Sequence, residues 1–278
     1  MSDVLFIADF FSNQINGGGE LNNAVLVEKL YQKGHSVQCV QSHLVKHSDL
    51  QNKDLIIISN FVNLSETIKA SVINKNYIIY EHDHKYIPSR NPAMYENYLA
   101  PEGHIINKGF YSNAGAILCQ STFHAEIVKK NLRLENIVSL GGNLWSDDQF
   151  TLLQNVCTNV NKRPTYAVMQ SSTPHKNTYE AVQYCEALGL DYYLIPPSDP
   201  STFLQELGSH STLVFFPKTP ETLSRIVVEA RMMGLSTKTT NNIGAIHEDW
   251  FSKKGLDLID YMRGKQEQIV NIVLSCVE

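Results

Sequence analysis

Two glutamates, Glu221 and Glu229, stand eight positions apart where the apolar run Leu213–Phe216 gives way to a loop and then to a helical pattern. On one helix that spacing separates the carboxylates by about 12 Å along the axis, which suits two parts of one extended ligand better than a shared proton. The N–H groups of Thr222, Leu223 and Ser224, at the expected helix start, lack intrahelical partners and form an anion site favoured by the helix dipole. Upstream, Gly17-Gly18-Gly19-Glu20 follows the first apolar run and opens another helical pattern. Glycines there let a backbone approach a diphosphate closely, with Gly18 and Gly19 at the helix start; a flexible turn is the other reading. A dinucleotide fingerprint would need glycine at Asn22. Glu81-His82-Asp83-His84-Lys85 closes a further apolar run. His82 and His84 would share a face if the strand continued, so metal ligation stands open beside hydrogen-bonded loop histidines.

These residues need a frame, and the hydropathy pattern supplies one. Short apolar runs alternate with longer amphipathic segments, the signature of βαβ units around a parallel sheet. Strands are expected at Val4–Ala8, Ser36–Val40, Leu55–Ser59, Tyr77–Tyr80, Ala116–Cys119 and Ile137–Leu140. A helix from Glu20 to Lys33 ends at Gly34, and Ser121 reads as the N-cap of a helix through Lys130. A second series follows the polar stretch 158–164: strands at Thr165–Gln170, Tyr192–Ile195, Thr212–Phe216 and Ser236–Thr240, helices at Asn177–Leu188 and Thr222–Met233. The helical pattern resumes from Leu256 to Val277. The expected architecture is α/β, with two Rossmann-like doubly wound lobes and a shortened second lobe. The expected domains are 1–157, 158–254 and 255–278, the last a terminal helix. Between Tyr86 and Phe110 lies a long polar and aromatic loop, the kind that is functional or disordered; Arg90, Tyr95 and Tyr98 in it have side chains that stack against or hydrogen-bond a ligand. His124 reads as an ordinary helix-start residue, and Met232-Met233 as packing.

The strand–loop–helix from Leu213 to Ala245 resembles the E-x7-E signature of retaining glycosyltransferases of the two-lobed GT-B fold, particularly family 4. The resemblance implies that Glu221 faces the donor sugar and Glu229 grips the ribose hydroxyls. Gly17–Glu20 is similar to the family's Gly-Gly-x-Glu loop, and Ile137–Phe150 to its segment leading into the second lobe. Lys176 falls where the family has a Lys-Gly pair, a place that implies neutralisation of the leaving diphosphate. By the same resemblance His82 lies beside the donor sugar, with His84 the second match. Two departures stand out: no arginine occurs in Gln170-Ser171-Ser172, and Asn177 replaces the usual glycine.

Glu221, His82 and Lys176 are thus the expected catalytic residues. Gly18, Gly19, Lys176, Thr222, Leu223, Ser224 and Glu229 would bind donor; His84, Arg90 and Tyr95 lie on the acceptor side. The implied reaction moves a sugar from a nucleotide-diphosphate donor to a saccharide or lipid-linked acceptor, with no metal and no other cofactor. A non-catalytic sugar-nucleotide-binding protein and a nucleotide-sugar epimerase share that fold; a Rossmann oxidoreductase is a further alternative. The 23 Lys+Arg and 28 Asp+Glu give a net charge of −5 without a basic half, from which no nucleic-acid partner is expected. Five scattered cysteines without a C-x-x-C pair suggest a reducing, cytoplasmic setting. Asp3 stands where a signal peptide carries positive charge, and no apolar stretch is long enough to span a bilayer, so no transmembrane anchor is expected; association with a membrane surface stays compatible.

Overall fold

The computed structural model describes residues 1–15, 17–159 and 161–276. Val277, expected in the last helix, lies outside the described residues, as do Asn16 and Val160 of two expected loops. The chain divides into two compact units, Met1–Leu144 with Gln266–Glu278 and Trp145–Lys265.

Unit 1 contains, in chain order, β1 (Asp3–Ala8), α1 (Gly18–Gln32), β2 (Ser36–Gln41), β3 (Leu55–Ile58), α2 (Glu66–Val72), β4 (Tyr77–Glu81), α3 (Lys108–Ser112), β5 (Ala116–Cys119), α4 (Thr122–Leu132) and β6 (Ile137–Ser139). Its six strands run in the order β2-β1-β3-β4-β5-β6, every pairing parallel. Because side chains alternate across a strand, β1 feeds two cores. Leu5 and Ile7 pack with Ile56, Ile58, Ile79 and Phe110 on one face. Val4, Phe6 and Ala8 pack with Leu26 and Leu30 of α1 on the other. Ser121 caps α4, its Oγ accepting the His124 N–H at 3.1 Å.

Unit 2 contains α5 (Asp147–Asn159), β7 (Arg163–Met169), α6 (Thr178–Ala187), β8 (Tyr192–Ile195), α7 (Pro200–Gly208), β9 (His210–Phe215), α8 (Arg225–Met232), β10 (Ser236–Thr239) and, through Lys265, the first part of α9 (Leu256–Ser275), whose remainder belongs to unit 1. Its four strands, in the order β10-β9-β7-β8, are also all parallel. Two doubly wound, Rossmann-like α/β units therefore make up the chain, the second with fewer strands than the first. The division falls at Leu144, earlier than residue 157, because Phe150, Leu153 and Val156 of α5 pack with Trp145, Leu207 and Leu213 in unit 2. Of α9, Leu258, Ile259 and Met262 lie in the unit 2 core and Ile269, Val270 and Val273 in a unit 1 core.

Two glycines test this packing in opposite directions. A Cβ on Gly208 would meet Val156 Cγ1 at 2.0 Å and the Met233 sulfur at 2.9 Å, whereas one on Gly264, inside α9, meets nothing within 4 Å. Gly208→Ala is expected to cost about 1–3 kcal/mol by overpacking, and Gly264→Ala to gain about 0.5–1 kcal/mol of helix propensity; urea unfolding of both variants measures this.

Candidate functional site

A parallel sheet carries its ligand-facing loops at the carboxyl ends of its strands, and in unit 2 that edge brings two of the expected residues together. The short turn Pro174–Lys176, after β7, places Lys176 Nζ 2.8 Å from Glu221 Oε1. The ammonium also stands 5.7 Å from the centre of the Phe215 ring at the end of β9. The lysine side chain is 30% exposed and the glutamate 15%, so the pair sits where a ligand can reach it. Asn177, in place of the expected glycine, has φ 57°, the left-handed region that asparagine tolerates. Its amide donates to the Phe216 carbonyl at 2.9 Å and to the Glu180 carboxylate, tying the lysine turn to β9.

Glu221 to Ser224 are not helical, contrary to the expected helix from Thr222. Glu221 forms a bridge with Ile243: its N–H donates to Asn242 O at 2.7 Å and its carbonyl accepts from Gly244 N at 2.9 Å. The Leu223 carbonyl accepts from Ala245 N at 3.0 Å. With its backbone taken by the 242–245 loop, the segment stays non-helical through Ser224, where φ reaches 76°, and α8 begins at Arg225. The orphan N–H groups of the helix start therefore belong to residues just past Ser224, while the side chain of Leu223 is fully buried in the core. Ser224 does not cap α8 with its side chain; among the described residues its buried Oγ has no hydrogen-bond partner.

Glu229 is buried one turn into α8. Its Oε1 accepts from Trp145 Nε1 at 2.9 Å and from Arg225 Nε at 3.1 Å. Arg225 stacks over Trp145 at 4.8 Å. A cation in the first turn opposes the helix dipole, and here Glu229 and the indole face compensate it. Neither Arg225 nor Trp145 was expected to touch this carboxylate; the i,i+4 spacing of Arg225 and Glu229 was the available signal.

In unit 1 the corresponding edge is organised around His82. Its Nε2 lies 2.7 Å from Asn23 Oδ1, and its Nδ1 meets the Gln120 amide nitrogen. Asn23 in turn donates to Ser59 Oγ at 2.8 Å. With an amide oxygen on one ring nitrogen and an amide N–H on the other, the assigned tautomer carries its proton on Nε2. Burial, the Lys85 ammonium and His124 hold His82 well below the usual imidazole range, so it is neutral. The backbone of Gly19 packs on this ring: a Cβ there would lie 3.5 Å from His82 Cγ. Beside it, the Glu20 carboxylate curls back over Gly17, and burial, with Asp9 adding, raises its pKa. The start of α1 thus already carries a carboxylate of its own.

His84, expected on the acceptor side, is buried. The chain leaves β4 at Glu81, so His82 and His84 do not share a strand face, and His84 is buried with Nδ1 3.0 Å from Tyr86 Oη. His124, fully buried, accepts the Gln120 N–H on Nδ1 at 3.3 Å and places Nε2 3.0 Å from the Asp83 carbonyl. Arg90 pairs with Asp83 at 3.0 Å, and the Tyr95 hydroxyl lies 3.0 Å from His104 Nδ1. The long loop holding Arg90 and Tyr95 is ordered into short turns, pinned where Asn131 accepts Ala100 N and donates to Tyr98 O, both at 2.8 Å. Among the described residues no group of three or more His, Cys, Asp or Glu is placed to hold a metal ion, and no helix is long and apolar enough to cross a membrane.

Burial lowers His124 to about 4, against the support of the Asp83 carbonyl. The unfolded imidazole takes its proton near pH 6.5 (~6.5), so between these values the unfolded chain binds more protons and acidification favours unfolding. The span corresponds to about 3 kcal/mol. His82 and His84 act in the same direction, while Glu81, whose pKa burial raises, opposes them. Stability measured by denaturant is expected to fall as pH drops from about 6.5 towards 4, with a shallower fall in His124→Gln.

No protein-family model matches this sequence, and no curated protein sequence matches it. Solved structures do. The Anabaena protein Alr3699/HepE, in complex with UDP and glucose, superposes with a TM-score of 0.56 at 12% identity, covering 100% of this chain and 92% of that one. An α-glucosyltransferase in complex with UDP and a 13-mer DNA gives a TM-score of 0.54 at 11% identity, covering 96% and 89%. AviGT4, a glycosyltransferase involved in avilamycin A biosynthesis, gives 0.51 at 13% identity, covering 95% and 88%. Three of the matching α-glucosyltransferase structures contain DNA. That overturns the exclusion of nucleic acid drawn from net charge: a whole-chain sum averages over the surface, whereas phosphates are met by local groups. At these identities the likeness is one of fold, and the fold is that of GT-B glycosyltransferases.

Proposed function

We propose that the chain is a retaining glycosyltransferase that uses a nucleotide-diphosphate sugar, with the donor bound by unit 2. The observation that carries this reading is the Lys176–Glu221 ion pair at the carboxyl edge of the second sheet. An ammonium there meets the charge that develops on a departing diphosphate, and a carboxylate held beside it meets sugar hydroxyls. The buried Ser224 hydroxyl at the start of α8 supports a phosphate contact at the same edge. Glu229, fixed by Trp145 and Arg225, is assigned to the ribose by its resemblance to the second glutamate of E-x7-E. In the proposed step the anomeric C–O(phosphate) bond breaks, the acceptor oxygen bonds to the anomeric carbon on the same face, and the acceptor proton passes to the leaving phosphate. The protein contributes orientation and charge stabilisation and needs no metal for them.

Acceptor recognition is assigned to unit 1, where the neutral, tautomer-fixed His82 and close-packed Gly19 give a rigid edge. A hydroxyl of a saccharide, free or lipid-linked, is the acceptor proposed. Incubation with nucleotide sugars, with and without EDTA, is expected to release nucleoside diphosphate insensitively to EDTA. Glu221→Gln and Lys176→Ala should each cut that release by about 10²–10³-fold, the scale of losing one transition-state charge contact. Binding of a nucleotide sugar with no turnover in the presence of saccharide or lipid-linked acceptors would instead make the chain a non-catalytic binding protein.

A further inference from the structure

Beside the first glycine loop, unit 1 contains a pocket that none of the expected site residues lines. It has a volume of about 280 Å³ and lies between the turn after β1 and the end of β2. Three amides, Asn13, Gln14 and Gln41, line it together with the apolar side chains of Phe11, Val40 and Leu44, and Cys39 completes the wall. Internal bonds steady two of the amides. Gln14 Oε1 accepts the Phe11 N–H at 3.1 Å, and Gln41 Nε2 donates to the Asp9 carbonyl at 3.3 Å. Phe11 is braced against Phe6 of β1, ring centres 6.4 Å apart.

The chemistry of this lining is narrow. Among the described residues it contains no charged side chain, and the nearby Asp9 carboxylate is spent on internal bonds: it accepts the Val62 and Asn63 N–H groups, both at 3.0 Å, and the Ser42 hydroxyl. An anionic ligand would therefore meet no countercharge in the wall. Amides offer donors and acceptors side by side, the pattern that matches an array of vicinal hydroxyls. Phe11 and Leu44, the latter 54% exposed, offer the apolar surface that covers the C–H face of a ring. The volume is at the small end of ligand pockets, near about 300 Å³, which admits one compact ring.

In the sheet order β2-β1-β3-β4, β2 is three strand spacings from β4, about 14 Å along the edge that ends in His82. We propose that this pocket is a distal acceptor subsite holding an uncharged glycosyl unit that is not the one glycosylated. The proposal rests on the transferase reading for the word acceptor; the pocket's preference for a neutral sugar does not.

Cys39, exposed and in the pocket wall, supplies a probe that needs no turnover. Its alkylation by iodoacetamide is followed by peptide mass spectrometry, with the half-buried Cys157 and Cys276 as internal references. Neutral oligosaccharides are expected to slow modification of Cys39 several-fold and leave the two references unchanged. Leu44→Trp, which fills the mouth, should abolish that protection, and Gln14→Ala should weaken it; unchanged thermal midpoints establish that both variants fold. The proposal is overturned if no neutral saccharide protects Cys39, if protection survives Leu44→Trp, or if a uronic-acid saccharide or short DNA protects and neutral sugars do not. Failure of the transferase reading registers separately, as absence of nucleoside diphosphate release from every donor, and leaves the Cys39 result standing.

Discussion

Every strand pairing in both sheets is parallel, and the remaining features depend on that one constraint. A parallel ladder cannot be closed by hairpins; each strand must be followed by a crossover, so all loops that leave the strands collect at one edge. That is why Lys176, thirty-nine positions before Phe215, ends beside the glutamate that follows β9. It is also why the glycine loop after β1 packs on a histidine that follows β4. The alternating apolar residues of β1 bury both faces of the sheet, leaving the edge as the place for polar chemistry.

Behind the His82 edge, polarity is carried inward. Glu81, fully buried, pairs with the buried Lys85 ammonium, accepts the Tyr111 hydroxyl and accepts the Asp83 N–H at 2.9 Å. Burial raises the Glu81 carboxyl and the lysine partly offsets this. A buried pair of this kind adds little net stability while making loss of either partner costly, about 3–5 kcal/mol. What it fixes is conformation: the carboxylate holds the turn by which the chain leaves β4, and with it the direction of the His82 ring. The Lys85 ammonium so placed also helps keep His82, His84 and His124 uncharged.

The sheets were legible in the sequence because fully buried parallel strands read as short apolar runs, and β3 (Leu-Ile-Ile-Ile) needs no further signal. Short helices were not: α2 and α3 are too brief for a periodic stripe, and Pro200 hid α7 although proline suits a helix start. Lys176 and Glu221 were found from motif order, and their approach to 2.8 Å is a tertiary fact that spacing does not contain. The helix at Thr222 was misread because the amphipathic pattern is blind to backbone partners; the 242–245 loop claims that segment. His84 was misplaced because the strand ends at Glu81, and no local pattern announces where the Glu81–Lys85 pair turns the chain inward. Net charge misled about nucleic acid since it has no spatial content.

The course of α9 bears on how the molecule is made. Synthesis proceeds from the N-terminus and domains ordinarily complete in that order. Here Ile269, Val270 and Val273 belong to the core of unit 1, yet they emerge from the ribosome only after all of Trp145–Lys265. The first-translated unit therefore waits, with one apolar face of its sheet incompletely covered, until the other has been translated. That interval is when chaperones have their opportunity to engage the nascent chain.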